Sequence, residues 1–329
     1  MVFDYRVKRW IMVEPFIIAG YRYDYIDTIA VTLSDGQGNA GRSEACGVDY
    51  LGETIESLTD QLESIRSRVE ADVDLNTLQE LLPPGGARNA LDCALWDLRC
   101  QQSKTTIWQQ ISIVEKPSVA TVYTIGLIDP KHAAHLAKQH AQYKTIKVKA
   151  DASGSLDTLW RIRRARPDAH LVIDANQSWT WELFHKVHDE LIELEIAMLE
   201  QPLPANADEP LADYFGPIKL AADESIQSCA ELQNLVEKYQ VVNIKLDKTG
   251  GLTEALQLAR RARDMGFEIM VGNMCGSSLA MAPAYVVAQL CTIVDIDGPL
   301  LQKEDVAHPL VYSAGNVSPS LGGKLWAGI

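Results

Sequence analysis

Short apolar runs that end in a charged residue recur through the second half of this 329-residue chain. Runs such as "HLVID", "IAMLE" and "VVNIK" have the length and composition of buried strands, and amphipathic stretches such as "LTEALQLARRARDMGF" separate them. Strand and helix therefore alternate, which is the pattern of parallel βα units. The predicted strands are residues 120–124, 145–149, 171–174, 197–200, 218–221, 241–245, 268–271 and 293–297.

The connections between these strands favour a closed barrel over an open sheet. An open doubly wound sheet usually carries a glycine-rich nucleotide loop after its first strand, and "TIGLIDP" is not such a loop. We therefore predict an α/β fold with a TIM-like (β/α)8 barrel over residues 116–309. The carboxyl ends of all strands would then surround one mouth, where residues distant in sequence become neighbours.

The two ends of the chain have a different pattern. Residues 1–115 contain a hairpin candidate, "TIAVTLSDGQGNAGRSEA", and two amphipathic helices, "GETIESLTDQLESIRSRV" and "ARNALDCALWDLRCQQ". This segment is predicted to be a separate α+β domain. Residues 310–329 contain too many turn formers to extend the barrel, and we expect them to return to the first domain.

Composition narrows the class of partner. A formal net charge of −14 and a pI near 4.9 argue against a nucleic acid or an anionic membrane, because phosphate binding needs clustered Lys and Arg. No apolar run approaches the ~20 residues that span a bilayer, and the N-terminus lacks the apolar core of a signal peptide. Six cysteines without CxxC pairs indicate free thiols and a cytoplasmic setting. The sequence leaves a homo-oligomer open.

Three carboxylates stand at the ends of consecutive predicted strands: Asp174, Glu200 and Asp223. A set of hard oxygen ligands without Cys or His suits Mg²⁺, with Mn²⁺ as a second choice. Each acid is close in sequence to a polar residue able to hold it in place, namely Asn176, Gln201 and Glu224. The alternative is that these acids cap helices or pair with nearby lysines, but three consecutive strands favour a metal site.

Lysines occupy two further strands of the predicted barrel. Lys147 and Lys149 lie two residues apart, so both side chains face the barrel interior, and Lys245 ends a strand across the mouth. A neighbouring cation would depress the high ordinary pKa of a lysine and make it a usable base. Two lysines on opposite faces of one carbon suit a racemase or epimerase. A salt bridge is the simpler reading of an inward lysine, and we assign Lys147 an electrostatic role; Lys248 is either solvated or a supporting residue.

Motifs across nearly the whole chain resemble the enolase superfamily, in its muconate lactonizing enzyme subgroup, whose chemistry uses Lys bases with Mg²⁺. Within it the sequence is similar to dipeptide epimerases of the L-Ala-D/L-Glu epimerase type. The matching stretches are "GARNALDCALWDL", "KVK", "VIDANQSW", "AMLEQPLPA", "ADES", "VNIKLDKTGGLTEAL" and "DIDGP". The resemblance implies the modified barrel form (β/α)7β, with an N-terminal capping domain whose loops set specificity.

The resemblance also implies a role for individual residues. Lys149 and Lys245 become the acid/base pair, and the three carboxylates become metal ligands. Asp295 and Asp297 in "DIDGP" match the acidic pair that holds the α-ammonium group of a dipeptide. The other implied substrate contacts are Thr124, Asn273, Met274, Cys275 and, in the loop of the capping domain, Arg22 with Tyr21 and Tyr23.

The implied reaction is inversion of the α-carbon of the C-terminal residue of an L-Ala-Xaa dipeptide, through an enediolate stabilised by Mg²⁺. Other reactions through the same intermediate remain alternatives: N-acylamino-acid racemase, o-succinylbenzoate synthase or muconate cycloisomerase. Their substrates lack an ammonium group, so a buried pair of aspartates would repel them. A barrel without catalytic activity is a more distant alternative, which the intact lysine pair argues against.

Overall fold

An antiparallel sheet and five helices form the N-terminal part of the computed structural model, which describes residues 1–329. The predicted hairpin is confirmed, because the second and third strands pair through a turn at residues 35–39. The longest helix packs on this sheet so closely that a Cβ added at Gly41 would lie 2.1 Å from the carbonyl oxygen of Ala94. The strands are β1 (Val2–Ile18), β2 (Tyr21–Ser34) and β3 (Ala40–Ala45), and the helices are α1 (Ile55–Ser64), α2 (Arg66–Glu70), α3 (Leu75–Leu81), α4 (Gly86–Ser103) and α5 (Ile107–Ile111).

Eight parallel strands form the predicted barrel. Each strand pairs with the next one along the chain, and a hydrogen bond of 2.9 Å from the Val122 amide to the Val294 carbonyl joins the two ends of the sheet. A core of 64 buried residues fills the space between this sheet and its helices. The strands are β5 (Tyr123–Ile125), β6 (Thr145–Lys149), β7 (His170–Asp174), β8 (Ile196–Glu200), β9 (Lys219–Ala222), β10 (Val241–Ile244), β11 (Glu268–Val271) and β12 (Ile293–Val294).

Helices cover most but not all of the connections around the barrel. They are α6 (Pro130–Gln139), α7 (Leu156–Ala165), α8 (Trp181–Glu193), α9 (Leu246–Thr249), α10 (Leu252–Asp264) and α11 (Ser278–Ala288). The connections after β8 and β9 hold only short 3-10 helices, Glu209–Asp213 and Leu232–Leu235. Four prolines between residues 201 and 218 explain the first of these, since proline interrupts an α-helix.

The first and the last strand of the barrel are shorter than predicted. The run at 120–124 divides into β4 (Val119–Ala120), which pairs with β14 (Asn316–Ser318), and the barrel strand β5. The last strand ends at Val294, because Asp297 and Pro299 begin a 3-10 helix, Gly298–Leu301. These changes leave the acids after β12 in a turn at the barrel mouth.

The C-terminal segment begins with a hairpin of β13 (Val311–Ser313) and β14 and then contacts the N-terminal part. Arg42 donates a hydrogen bond of 2.8 Å to the Leu325 carbonyl, and the indole of Trp326 donates one of 3.1 Å to the Cys93 carbonyl. All six cysteines are free thiols. No helix combines the length and apolar character needed to cross a membrane.

Candidate active site

The carboxylates of Asp174, Glu200 and Asp223 meet at the barrel mouth. β7 and β8 pair in register so that Asp174 lies opposite Glu200, and Asp223 follows the end of β9. One oxygen of each acid lies within 4.8 Å of the others, and all three side chains are buried. Three buried carboxylates at this separation form a donor set of the kind that holds a hard divalent cation.

Lys147 lies beneath this cluster and is enclosed by acids. Its Nζ is 2.9 Å from Asp174, 2.8 Å from Glu200 and 2.7 Å from Asp295. Burial alone would lower the pKa of Lys147, but these carboxylates outweigh it and raise the pKa well above the ordinary value. Lys147 is therefore a fixed positive charge in this structure.

Lys149 and Lys245 reach the cluster from its two ends. Lys149 Nζ lies 2.7 Å from Asp174 and 3.1 Å from the side-chain oxygen of Asn176, whereas Lys245 Nζ lies 2.6 Å from Asp223. Both lysines line the open cleft above the cluster, and Lys147 does not. Burial opposes the charge of Lys245, but Asp223 overcomes it and raises the pKa. The depressed lysine pKa expected from the sequence depends on a neighbouring cation and stays a prediction.

Two further residues support the carboxylates: Lys248, whose role the sequence left open, and Asn243, which was not predicted from the sequence. Lys248 is buried and donates to Asp223 Oδ1 at 2.6 Å and to the Asn243 carbonyl at 3.0 Å. The Asn243 amide donates to Glu200 at 2.7 Å. Asn243 is two residues before Lys245 on β10, so the alternation of the strand could have placed it inside.

The acids at the barrel mouth outnumber the lysines there. Burial, followed by Asp174, raises the pKa of Glu200 to about 7, and burial, followed by Asp223, raises the pKa of Glu224 to about 8. Four lysines face six acids, so a divalent cation would balance the charge. The lysines are Lys147, Lys149, Lys245 and Lys248, and the acids are Asp174, Glu200, Asp223, Glu224, Asp295 and Asp297.

The acidic pair after β12 is occupied by the protein's own groups. Besides Lys147, Asp295 accepts from the Asn273 side chain through its carbonyl at 2.8 Å and its carboxylate at 3.3 Å. Asp297 accepts a hydrogen bond of 2.6 Å from the Thr124 amide, whereas the Thr124 hydroxyl is buried without a partner. Burial and then Asp295 raise the pKa of Asp297 to about 8.

The hairpin formed by β1 and β2, with its tip at residues 18–21, closes the cleft from above. Asn273, Met274 and Cys275 line it from the barrel side, and Tyr21 and Tyr23 line it from β2. Its other lining residues are Phe16, Ile18, Ala19, Ile26, Cys46, Gly47, Asp49, Tyr50, Lys149, Asn176, Gln177, Glu224 and Lys245. The cleft is therefore largely apolar toward the hairpin and charged toward the barrel.

Four predicted substrate contacts do not line this cleft: Thr124, Asp295 and Asp297, which are buried, and Arg22, which is exposed. The guanidinium of Arg22 lies 3.0 Å from Asp24, with both side chains more than half exposed. Successive residues of a strand point to opposite sides, so tyrosines at 21 and 23 that face the cleft turn Arg22 away from it. The role of Arg22 as a substrate contact stays a prediction.

Gln201 links the cluster to a network behind it. Its oxygen accepts from the Asp223 amide at 2.9 Å, and its nitrogen donates to the Tyr239 hydroxyl at 2.9 Å. Asp208, which is 1% exposed, accepts from Tyr239 at 2.8 Å and from Ser225 at 2.6 Å. Nothing in the sequence indicated Asp208, because it lies in the irregular connection after β8.

A barrel with three carboxylates and two facing lysines at its mouth defines the class of protein, an enolase-like barrel. Residues 131–322 match the family model described as "Enolase C-terminal domain-like", and the chain belongs to this family.

Two relatives of known activity span almost the whole chain. The chain is 41% identical to an N-acetyl-D-glutamate racemase from Pseudoalteromonas sp, over 91% of this chain and 95% of that protein. It is 37% identical to the L-Ala-D/L-Glu epimerase of Escherichia coli (strain K12), over 94% of this chain and 97% of that protein.

Two solved structures of similar proteins have the same fold. An enolase family member from Agrobacterium tumefaciens with homology to dipeptide epimerases, bound to sodium and L-Ala-L-Glu, has a TM-score of 0.95 and 38% identity over 98% of this chain and 99% of that one. A dipeptide epimerase from Methylococcus capsulatus, complexed with Mg and L-Arg-D-Lys, has a TM-score of 0.87 and 27% identity over 97% and 96% of the two chains.

Proposed function

We propose that this protein is a dipeptide epimerase, an isomerase that inverts the α-carbon of the C-terminal residue of L-Ala-Xaa dipeptides. The observation that carries the proposal is the placement of Lys149 and Lys245 at opposite ends of one carboxylate cluster, both facing the same cleft. A substrate carbon between them could lose a proton to one lysine and receive it from the other on the opposite face. The L-Ala-D/L-Glu epimerase and the dipeptide complexes among its relatives support the same reaction.

Asp174, Glu200 and Asp223 would hold Mg²⁺, with Mn²⁺ as a second choice. The ion would supply a Lewis acid beside the substrate carboxylate, which lowers the cost of negative charge next to the α-carbon. Lys147 would add a fixed positive charge from below, since its contacts with three acids leave it no proton to exchange. Asn176, Gln201 and Glu224 would keep the ligands in place.

The acidic pair would receive the free amine of the first residue. Asp297 would be the more available partner for an ammonium group, because Asp295 already forms an ion pair with Lys147. Thr124, Asn273, Met274 and Cys275 would complete this end of the site, and Tyr21 and Tyr23 would contact the second side chain. The proposed setting is cytoplasmic, which six free thiols support.

The proposal is tested with an L-Ala-L-Xaa library incubated with the enzyme and Mg²⁺ in deuterated water. Mass spectrometry is expected to detect one solvent deuterium at the α-carbon of the second residue, with formation of the L,D product. Absence of exchange from every dipeptide would contradict the proposal.

Racemisation of N-acylamino acids is a second candidate, and two observations favour it. The relative at 41% identity is an N-acetyl-D-glutamate racemase. In addition, the raised pKa of Asp297, about 8, would leave its carboxyl protonated and able to donate to an acyl oxygen. The two candidates are distinguished by the same exchange measurement on matched free and N-acetylated substrates, where a dipeptide epimerase should strongly prefer the free amine.

A further inference from the structure

The hydroxyl group of Tyr50 lacks a hydrogen-bond partner. Tyr50 lines the cleft together with Lys149 and Lys245, and its phenolic oxygen is buried from solvent without a donor or acceptor in reach. Buried hydroxyl groups in proteins are nearly always hydrogen-bonded, because an unpaired one loses its contacts with water without replacement. An exception that faces a cleft indicates that the partner arrives with the occupant of that cleft.

The loop that carries Tyr50 is held firmly in place. Tyr50 lies in a 3-10 helix, Asp49–Leu51, which Gly52 ends in the left-handed conformation. Glu53 accepts a hydrogen bond of 2.9 Å from the Val48 amide and two more, of 3.1 and 3.0 Å, from the Gly86 amide. The loop is therefore fixed to the start of α4.

A second attachment joins the loop to the barrel beside a catalytic candidate. Asp247 accepts from the amides of Cys46 and Gly47 at 3.0 and 3.2 Å, and from the Asn89 side chain at 3.1 Å. Asp247 is two residues after Lys245 on the same connection. The position of Tyr50 is thus set relative to Lys245 before any ligand binds, which is the condition for a preorganised donor.

The chemistry of the surroundings fixes the direction of the hydrogen bond. Burial, followed by Asp223 and Glu224, raises the pKa of Tyr50, so the phenol keeps its proton. Tyr50 lines the same cleft as Lys245 and Glu224, where a substrate of the proposed reaction would lie. A neutral phenol at this place acts as a donor toward an anionic oxygen.

We propose that Tyr50 donates a hydrogen bond to a carboxylate oxygen of the substrate, the oxygen that gains negative charge when the α-proton leaves. This inference rests on the proposed function, and it applies equally to a dipeptide and to an N-acylamino acid, since both carry that carboxylate. The contact strengthens as charge develops, so it acts on turnover more than on binding.

The test compares Tyr50→Phe with the parent enzyme and with Tyr25→Phe, a matched control on β2 that is 43% exposed and does not line the cleft. Turnover and α-proton exchange are measured from the L,L and the L,D substrate, together with bound metal and thermal stability. Tyr50→Phe is expected to lower kcat by about ten- to a hundredfold for both configurations alike, because the charged oxygen belongs to an intermediate that both share. Tm and metal content should stay unchanged, because the hydroxyl has no partner in the protein to lose.

Three results would overturn the role of Tyr50 in an active enzyme: an unchanged kcat, a loss confined to one configuration, or a fall in Tm or metal content that accounts for the loss. Tyr50→Trp, which retains an aromatic ring and an N–H donor, serves as a second variant and should keep more turnover than Tyr50→Phe. A parent enzyme that exchanges no α-proton from any dipeptide or N-acylamino acid would refute the proposed function and this role together.

Discussion

At the scale of single residues, contacts separate lysines that look equivalent in the sequence. Lys147 and Lys149 are two positions apart on one strand, yet Lys147 touches three acids and Lys149 touches one acid and one amide. Lys147, enclosed by carboxylates, does not line the cleft, whereas Lys149 and Lys245 do and can therefore meet a substrate. The proposed acid/base roles of Lys149 and Lys245 follow from this difference.

Lys149→Ala and Lys245→Ala should each stop epimerisation, with a loss in kcat of about a hundredfold to ten-thousandfold. Each variant should still exchange the α-proton of one substrate configuration, because the remaining lysine faces one side of the carbon. Exchange is measured by proton NMR in deuterated water, with Lys186→Ala on the exposed face of α8 as the control. Equal loss of exchange from both configurations in each variant would argue against separate faces.

Arg22→Ala should change kcat/KM by less than about threefold for Ala-Glu and for Ala-Leu, because a pair of exposed charges contributes little. The side chain lies outside the cleft, paired with Asp24, so its loss removes no contact from the site. The measurement is kcat/KM of parent and variant for the two dipeptides, from steady-state kinetics. A loss of tenfold or more on Ala-Glu alone would mean that Arg22 leaves Asp24 and enters the cleft when an acidic substrate binds.

At the scale of elements, the ends of three neighbouring strands carry the acids, and an irregular connection behind them keeps the arrangement rigid. Gln201 directly follows β8 in a left-handed conformation with φ 36°, which turns its side chain toward Asp223. Asp208 anchors the far side of the same network through Tyr239 and Ser225. The position of a proposed metal ligand therefore depends on a buried acid that contacts no ligand itself.

Asp208→Asn should lower the free energy of unfolding by about 2–4 kcal/mol, because an amide replaces a buried acceptor that also pairs with Lys238. Calorimetric titration should in addition detect weaker binding of Mg²⁺, since Asp223 loses its support. Asp213→Asn, an exposed aspartate a few residues later, is the matched control and should leave both quantities unchanged. Parent-like stability and metal affinity in Asp208→Asn would show that the network is dispensable.

The sequence predicted the regular part of this architecture well. Strands, their order and the acids at their ends follow from local periodicity and from the geometry of a parallel barrel, which places every strand end at one mouth. Asp208, Tyr50 and the pairing of Arg22 with Asp24 could not be predicted, because each depends on contacts made by irregular segments. Once residues 21–23 are known to form a strand, alternation does predict that Arg22 points away from the cleft that Tyr21 and Tyr23 line.

At the scale of the whole molecule, α4 joins the capping part to the barrel through buried polar groups. Arg88 donates to the Thr249 carbonyl at 2.7 Å, and Asp92 accepts from the Thr253 amide at 3.0 Å. Glu44 accepts from the Ser277 amide at 2.8 Å on another side. The cleft between the two parts is consequently built from surfaces that cannot separate without leaving these groups unpaired.

One of these groups should make the stability of the protein depend on pH. Burial raises the pKa of Asp92 from its ordinary 3.8 to about 6, so the folded state holds this proton more tightly than the unfolded state. The resulting stabilisation is complete below pH 3.8 and is lost as the pH rises through about 6, which amounts to about 3 kcal/mol. Asp92→Asn should therefore gain stability relative to the parent between pH 5 and pH 8 in urea unfolding.

The difference between parent and variant isolates Asp92, because the other titrating groups are the same in both proteins. The substitution keeps an acceptor for the Thr253 amide, and a rotated Gln79 could accept from the new amide through an oxygen that lacks a partner at present. A difference in unfolding free energy that stays constant from pH 5 to pH 8 would contradict the assigned pKa.

Removal of divalent ions should lower both activity and stability. Without a cation, the acids at the mouth outnumber the lysines and repel each other. A ligand that binds only the folded state at a hundred times its Kd contributes about 3 kcal/mol, so Mg²⁺ should raise the Tm of chelator-treated protein by several degrees in calorimetry. Normal epimerisation by protein without detectable divalent ion would contradict the metal site.

Two segments of the N-terminal part form walls of the cleft: the hairpin of β1 and β2, and the loop at residues 46–53. The loop is attached to both the barrel and α4, so substitutions in it are more disruptive than substitutions in the hairpin. The hairpin wall contacts the segment after the first barrel strand through a bond of 2.8 Å from the Leu127 amide to the Ile17 carbonyl, and Tyr23 donates a hydrogen bond of 2.7 Å to the exposed Asp49 of the loop. The loop wall shares Asp247 with the connection that carries Lys245. A loop transplanted from a relative would thus need a matching acid at position 247, and libraries that aim at new substrates should vary the hairpin first.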